Sequence, residues 1–418
     1  VPPASSADPN APLSPGAFAA RLERLGPFAP SPRLAAGVSG GADSLCLALL
    51  AADWVRPRGG VLVGLIVDHG LRADSRTESR LTAERLRAVG IDARLLTLRG
   101  LRPGPGLAAR ARAARLAALA SACAAENIVD LLLGHHAADQ AETLMMRALA
   151  GSGPDGFSGI PAQRHTTGLR LLRPLLDVPP ARLRAVLQAR RLAWVEDPSN
   201  ADRAALRSRL RGISAIGVSA LAAAAQIAAA RRAEREDATA SWLAAHAEIR
   251  PEGFAVIPPA PLPAAALAAL VQMVAGRAYP PAAAAVRALA AAPRPATLGG
   301  ARLLPAGRFG PGLLIVREAA AQAPRQPAAA GARWDGRFRL LDPPAPGLSV
   351  GAIGAAAAGL RKRSALPAAV LASLPALWRD EILAGLPALM YRPGMPAPPA
   401  RFLFDPPRPA ACAPVLGA

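Results

Sequence analysis

The sequence predicts an α/β protein: a doubly wound parallel sheet first, then a helical domain, then a small α+β region at the C-terminal end. Three observations predict it. Between residues 31 and 135, short apolar segments alternate with helical stretches. Two of these segments, 61–67 and 128–133, are almost continuously apolar. Glycine- and acid-bearing motifs follow three of the segments directly. A β-α-β-α order implies parallel strands joined by crossovers. Strands covered by helices on both faces lose the apolar–polar alternation of a half-exposed sheet.

In chain order, the expected strands are 34–38, 61–67, 93–98 and 128–133, with helices over 43–55, 75–89 and 107–125. A further helix starts near Ala137. Ligands of open α/β sheets sit beyond the carboxyl ends of the strands. "SGGADS" (39–44), "DHGLR" (68–72) and "GHHAADQ" (134–140) therefore converge on one edge. Further on, "VSALAAAAQIAAARRAEREDATASWLAAHAEI" reads as one long helix and "PLPAAALAALVQMVAGRA" as another. Residues 297–316 read as a hairpin, and "RWDGRFRLL" as a short β piece. Proline-rich stretches at 320–330 and 393–410 read as linkers or surface loops. The expected division is an N-terminal extension 1–30, a catalytic domain 31–212, a helical middle domain 213–292 and a C-terminal region 293–418.

At 418 residues the chain exceeds one ordinary core. Its apolar content is 52%, yet no run approaches the ~18 consecutive apolar residues of a membrane span. "VPPASSADPN" has neither the basic nor the apolar region of a signal peptide. Cys46, Cys123 and Cys412 lie far apart without a Cys-x-x-Cys pair. That spacing argues against a zinc ribbon or redox dithiol, and the sparse count fits a cytoplasmic location. The net charge is +20, nearly all of it from arginine, with Lys362 the only lysine. Such a surplus favours a polyanionic partner through phosphate neutralisation. A solubilising surface in an Arg-, Ala- and Pro-rich chain is the plainer reading of the same number.

Four motifs carry chemistry. In "SGGADS" the glycines allow a tight turn and close backbone approach to a phosphate. The helix behind it offers free N–H groups and the positive end of its dipole. Asp43 would repel phosphate, so holding Mg²⁺ suits it better. The loop lacks the Gly-Lys-Ser/Thr end of a Walker A motif. The plainer alternative is a glycine turn with Asp43 or Ser44 capping the helix. In "DHGLR", Asp68 ends a strand and Gly70 permits a turn, but a lone histidine is more often structural. In the third motif, His135, His136, Asp139 and Glu142 crowd the start of a helix. Acids there also suit the dipole, so capping competes with metal binding, and the spacing is poor for zinc. In "DPSNADRAALRSRLR", Arg203, Arg207 and Arg211 share a helix face, either solvated or set against phosphates.

Taken in order, "SGGADS", "VDHGLR", "GHHAADQAETLMMR", "GSGPDGFSGI", "RPLLD" and "WVEDPSN" resemble the tRNA(Ile)-lysidine synthetases of the PP-loop ATP pyrophosphatase group. The likeness covers roughly residues 31–211, with weaker echoes in "TLGGARL" and "VRE". It implies a sheet of the PP-loop, adenine nucleotide alpha hydrolase-like type. It implies ATP and Mg²⁺ as cofactors, and a tRNA(Ile) with a CAU anticodon and free L-lysine as partners. No membrane is involved, and a homodimer is known for some members. The C2 oxygen of the wobble cytidine is adenylated and pyrophosphate leaves; lysine then displaces AMP to give lysidine. By resemblance, Ser39, Gly40, Gly41, Ala42, Asp43, Ser44, Asp68 and His69 bind ATP, and Asp43 and Asp139 hold the metal. Asp43, His135, Asp139 and the pair Arg112 and Arg115 are catalytic, with His136, Gln140 and Glu142 in the same motif. Arg72, Arg203, Arg207 and Arg211 contact tRNA or phosphate, and the region 293–418 grips tRNA.

Two departures stand out: Ala138 where the family usually has Asp, and Leu116 where it often has Tyr. Three other readings compete. A 2-thiolation enzyme of the same group would need catalytic cysteines. An amidating ligase would need an ammonia source. A non-catalytic tRNA-binding protein would keep the fold without releasing pyrophosphate.

Overall fold

The computed structural model describes residues 10–70, 75–101, 104–152, 154–166, 168–195, 215–391 and 400–411. The chain divides between Arg232 and Ala233 into two compact units. The first begins with α1 (Pro15–Glu23), β1 (Arg33–Val38), α2 (Ala42–Val55), β2 (Val61–Asp68), α3 (Ser75–Ala88) and β3 (Asp92–Thr97). It continues with α4 (Leu107–Ala125), β4 (Asp130–Leu133), α5 (Ala137–Leu149), β5 (Gln163–Thr166), β6 (Leu169–Leu172) and α6 (Pro180–Ala189). The strands form one sheet in the order β3-β2-β1-β4-β6-β5. All neighbours run parallel except β5, which turns back along β6. The expected strands and helices are thus present, and the order reverses direction between β1 and β4. That is the switch point at which such sheets bind ligands.

Alternate residues of the central strands feed two cores, as the period of two requires. Leu34, Ala36, Val38, Leu62, Ile66, Leu132 and Leu172 pack with α1, α2, α3 and α6 on one face. Ala35, Val63, Leu65, Leu131, Leu133 and Leu171 pack with α4 on the other. The β5–β6 hairpin was not among the expected strands. Its strands are only four residues long, and β5 exposes Arg164, His165 and Thr166, which masks any apolar pattern.

Within the expected N-terminal extension, 1–30, the structure forms a helix. The Ser14 hydroxyl accepts the Ala17 N–H at 3.2 Å and starts α1. Phe18 and Leu22 are fully buried in the α2 core. Arg21 forks onto both Asp177 oxygens at 2.7–3.0 Å. Residues 15–23 therefore belong to the first unit, because its α2 face would otherwise lie bare.

The second unit follows within the long helix α7 (Ala215–His246), which contains the boundary. Then come β7 (Glu248–Arg250), β8 (Phe254–Ile257), α8 (Ala264–Val274), α9 (Ala283–Ala291), β9 (Ala296–Leu298), β10 (Ala301–Pro305) and β11 (Leu313–Arg317). The five strands make one antiparallel sheet, β7-β8-β11-β10-β9. β8 hydrogen-bonds to β11 across the expected 292/293 boundary, so strands on either side of it share one sheet. Two smaller sheets complete the unit. One orders β12 (Gln326–Pro327), β15 (Ser349–Ala352), β16 (Pro375–Arg379) and β17 (Ile382–Gly385); the other orders β13 (Arg333–Trp334), β14 (Phe338–Leu340) and β18 (Phe402–Phe404). The proline-rich stretches at 320–330 and 393–410 each contain a strand rather than only linker. Pro327 is tolerated because β12 is an edge strand, where a missing N–H is harmless.

Between β13 and β14 the chain turns on Asp335 and Gly336, both at positive φ (51° and 64°), with the Arg337 N–H on the Trp334 carbonyl at 3.0 Å. Those are the dihedral signs of a type I′ turn, which Asp-Gly favours. The turn buries Asp335 between Arg317 and Arg337, with contacts of 2.8–3.0 Å. Among the described residues no helix is long and apolar enough to cross a membrane.

Two stability outcomes are expected in urea unfolding followed by tryptophan fluorescence. Phe18→Ala should cost about 3–5 kcal/mol, since it leaves a cavity in the α2 core; an effect near zero would return α1 to the status of an appendage. Asp335→Ala should cost about 3–5 kcal/mol in the second unit, because it strands two buried guanidinium groups.

Candidate functional site at the switch point

The loop after β1 is closed on itself. The Ser39 N–H donates to Ser44 Oγ at 3.0 Å, and the Ser44 hydroxyl donates to the Gly41 carbonyl at 3.1 Å. Gly40 sits at φ 87°, and a Cβ there would stand 2.6 Å from Thr82 Oγ1. The Val195 N–H donates to the Gly40 carbonyl at 2.9 Å, so "WV" of the sixth motif backs the loop. Gly41 is the N-cap of α2, and no side chain caps this helix. The plainer reading of the hexapeptide, a side-chain-capped turn, is therefore not what forms. First-turn N–H groups without a cap are a ready anion site.

The second loop enters α5 beside it. The His136 backbone N–H donates to Asp139 Oδ2 at 2.9 Å, and the Ala138 N–H donates to His136 Nδ1 at 3.2 Å. Capping is thus real here. In the neutral ring Nδ1 accepts and the proton sits on Nε2, which lies 3.3 Å from Asp43 Oδ2. Burial opposes a charged His136, but the Asp43 hydrogen bond and the carboxylates of Asp139, Asp43 and Glu142 outweigh it, and its pKa is raised.

His135 behaves oppositely. Burial pushes its pKa down to about 4; Asp139 resists, and the Arg173, Arg112 and Arg115 guanidinium groups assist. Arg173 Nε donates to His135 Nδ1 at 3.2 Å, so neutral His135 carries its proton on Nε2. Arg173 itself is buried, holds the Pro161 carbonyl at 2.8 Å, and is pushed down to about 10 by burial and then by Arg164 and Arg112. It lay inside the quoted motif "RPLLD" but was not singled out. Only the placement of β6 beside β4 shows its reach.

These groups open onto a cavity of about 990 Å³ within the first unit. Ser39, Gly41, Ala42, Asp43, Ser44 and His69 line it, as do Arg112, Arg115, His135 and Asp139. The fold thus brings most of the expected site residues together. Arg147 and Arg173, which lie inside quoted motifs without having been singled out, join them, as do Arg164 and Arg184. Asp68 does not line the cavity: its Oδ1 accepts the Gly70 N–H at 2.9 Å and the Ser75 hydroxyl at 2.7 Å, closing its own turn. Gln140 is buried and exchanges two hydrogen bonds with the Ile160 backbone, at 2.9 and 2.6 Å. Arg147 holds the Gly156 and Gly159 carbonyls, both at 2.8 Å. Gln140 and Arg147 therefore shape the glycine-rich segment after α5. Arg72, Arg203, Arg207 and Arg211 lie outside the described residues.

The donor set can be tested for Mg²⁺. Asp43 Oδ1 is buried without a hydrogen-bond partner. An orphaned carboxylate oxygen is costly unless a cation or donor meets it. Hard anionic oxygen is the donor Mg²⁺ takes, often from one or two carboxylates with waters and phosphates completing the shell. Asp43 fits this role; Asp139 has one oxygen committed to the His136 N–H. Among the described residues there is no group of three or more His, Cys, Asp or Glu side chains placed to hold a metal. Ala138 does not line the cavity, whereas Leu116 does.

The PP-loop domain family matches residues 16–214. A tRNA(Ile)-lysidine synthase of Bradyrhizobium diazoefficiens is 42% identical over 185 residues, covering 44% of this chain and 51% of the relative. One from Bradyrhizobium sp. BTAi1 is 39% identical over 234 residues, covering 55% and 65%. A third, from Ruegeria pomeroyi, is 34% identical over 381 residues, covering 86% and 89%. The alignment thus spans about half to two thirds of the Bradyrhizobium relatives and nearly all of the Ruegeria one.

The paired histidines should titrate apart. In histidine NMR, His135 should stay neutral down to about pH 4 while His136 titrates above the ordinary range. The linkage signs differ. Folded-state stability from neutral His135 is complete above its unfolded pKa of about 6.5 and is lost as pH falls towards 4. That from charged His136 is complete below about 6.5 and is lost as pH rises through its folded value. Superimposable titration curves would contradict the environments described.

Proposed function

The chain belongs to the tRNA(Ile)-lysidine synthases, and we propose that it joins free L-lysine to C2 of the wobble cytidine in the CAU anticodon of tRNA(Ile), with cleavage of ATP. In the first proposed step the cytidine C2 oxygen attacks the α-phosphorus, the bond to the β-phosphate oxygen breaks, and pyrophosphate leaves. In the second the lysine amine attacks C2, loses a proton, and the C2–O bond breaks to release AMP. The product pairs with A instead of G, switching the codon read from AUG to AUA.

The supporting observation is one cavity of about 990 Å³ that combines an uncapped helix N-terminus, an orphaned Asp43 oxygen and the arginines of α4. That volume is at the upper end for small-molecule sites, about 300–1,000 Å³, and suits more than one substrate. In this reading the α2 N–H groups and Ser39 cradle the phosphates. Asp43 would hold Mg²⁺, which neutralises charge on the departing pyrophosphate when bound. Arg115 faces the same developing charge. Neutral His135 offers an Nε2–H donor that stays uncharged at working pH. His136 holds Asp43 in place from the α5 side.

Sulfur delivery is disfavoured. Cys46 and Cys123 are buried in α2 and α4, where burial pushes their thiols up to about 12 and about 11. Reactive thiolates need the opposite environment.

The decisive test incubates the protein with ATP, Mg²⁺, lysine and unmodified tRNA(Ile) carrying a CAU anticodon, followed by nucleoside mass spectrometry. Lysidine at the wobble position is expected, and its absence together with absent pyrophosphate release would leave only a binding protein. Asp43→Asn should lower turnover by at least about 100-fold, in the range of a lost electrostatic stabiliser, with an unchanged far-UV circular dichroism spectrum. Full turnover by that variant would remove Asp43 from the chemistry.

A further inference from the structure

The cavity has a second charged wall that phosphates on the α2 loop leave unused. Arg173 directly follows β6, Arg164 stands opposite Leu171 on β5, and Arg112 lies in the second turn of α4. All three line the cavity. The acceptors of the buried Arg173 side chain are neutral: a histidine nitrogen and a peptide carbonyl. Among the described residues no carboxylate pairs with Arg112, Arg164 or Arg173. The like charges are felt, since Arg164 and Arg112 both depress the Arg173 pKa beyond what burial does. Three guanidinium groups gathered without a counter-ion are unfavourable until an anion joins them.

That anion is not the one on the α2 loop. The strand order β1-β4-β6-β5 places β5 three strand spacings from β1, about 14 Å at ~4.8 Å each. β5 is also one of the sheet's two edge strands, with Arg164, His165 and Thr166 exposed. A compact nucleotide needs no open edge, whereas a polymer must enter and leave across one.

We propose that Arg164, backed by Arg112 and Arg173, forms a second phosphate subsite that takes a backbone phosphodiester of the RNA substrate next to the reacting nucleotide. This rests on the proposed function only in that RNA is the second substrate. The subsite holds the RNA strand at the sheet edge while ATP occupies the β1–α2 side.

The test measures Kd for an anticodon stem-loop RNA with a CAU loop, between about 50 and 200 mM salt. It compares wild type, Arg164→Ala, Arg164→Glu and Arg164→Lys, with the Kd for ATP measured separately without RNA. Arg164→Ala and Arg164→Glu should weaken RNA binding and lower the slope of log K against log salt by about 0.7–0.9, the loss of one phosphate contact. Arg164→Lys should keep the slope, and ATP affinity should not change in any variant. An unchanged RNA slope overturns the subsite, and a weakened ATP affinity with that slope reassigns Arg164 to the triphosphate. If wild type binds the RNA but makes no lysidine, the proposed reaction fails while the slopes still decide the subsite. If wild type does not bind the RNA, both fall.

Discussion

The chemistry at the switch point depends on a backbone-to-backbone approach. A Cβ on Gly134 would lie 3.1 Å from Ser44 Cα and 3.2 Å from its nitrogen. The exit of β4 and the first turn of α2 are thus in near contact, and a Cβ at 134 would require the α2 backbone to give by a few tenths of an ångström. Everything chemical at the switch point depends on that closeness. It lets His136, at the entrance to α5, reach Asp43 in α2. It also turns two helix N-termini towards one cavity instead of two separate surfaces. A side chain at 134 would press on the first turn of α2, where His136 meets Asp43.

The adjacent histidines show how much a one-residue step changes. His136 looks into carboxylates, and their attraction overcomes the cost of burying a cation. His135 looks into guanidinium groups, which add to that cost. When neutral, each ring is held in one tautomer by a donor to Nδ1, a backbone N–H in one case and Arg173 in the other. The cavity therefore has an acidic side around Asp43 and Asp139 and a basic side around Arg112, Arg164 and Arg173.

The second unit solves a different problem with similar means. Its chain is proline-rich, and its strands after residue 320 are two to five residues long. Ladders that short supply few backbone hydrogen bonds. The buried Arg317–Asp335–Arg337 cluster ties the tight turn to β11 and to the carbonyls of Gly300, Gly253 and Ser373. Trp334, Phe338 and Leu340 then pack around it as a small core. Such a cluster specifies one arrangement of strands more than it adds net stability.

The parallel sheet, its helices and the convergence of three loops were legible in the sequence alone. Each follows from the local order of apolar segments and glycine turns, which one stretch of chain carries by itself. The sequence likewise marked Asp43, His135 and Asp139 through their motifs. It did not reveal that Asp68 would close its own turn through Gly70 and Ser75, that Gln140 would be committed to backbone, or that Arg164 and Arg173 would join the cavity. Nor did it show that β8 would leave the helical segment to pair with β11. Those outcomes depend on which strand lies beside which, and strand neighbours are chosen by burial across the whole unit. A side chain's partner is set by that choice, so only the tertiary structure could decide it.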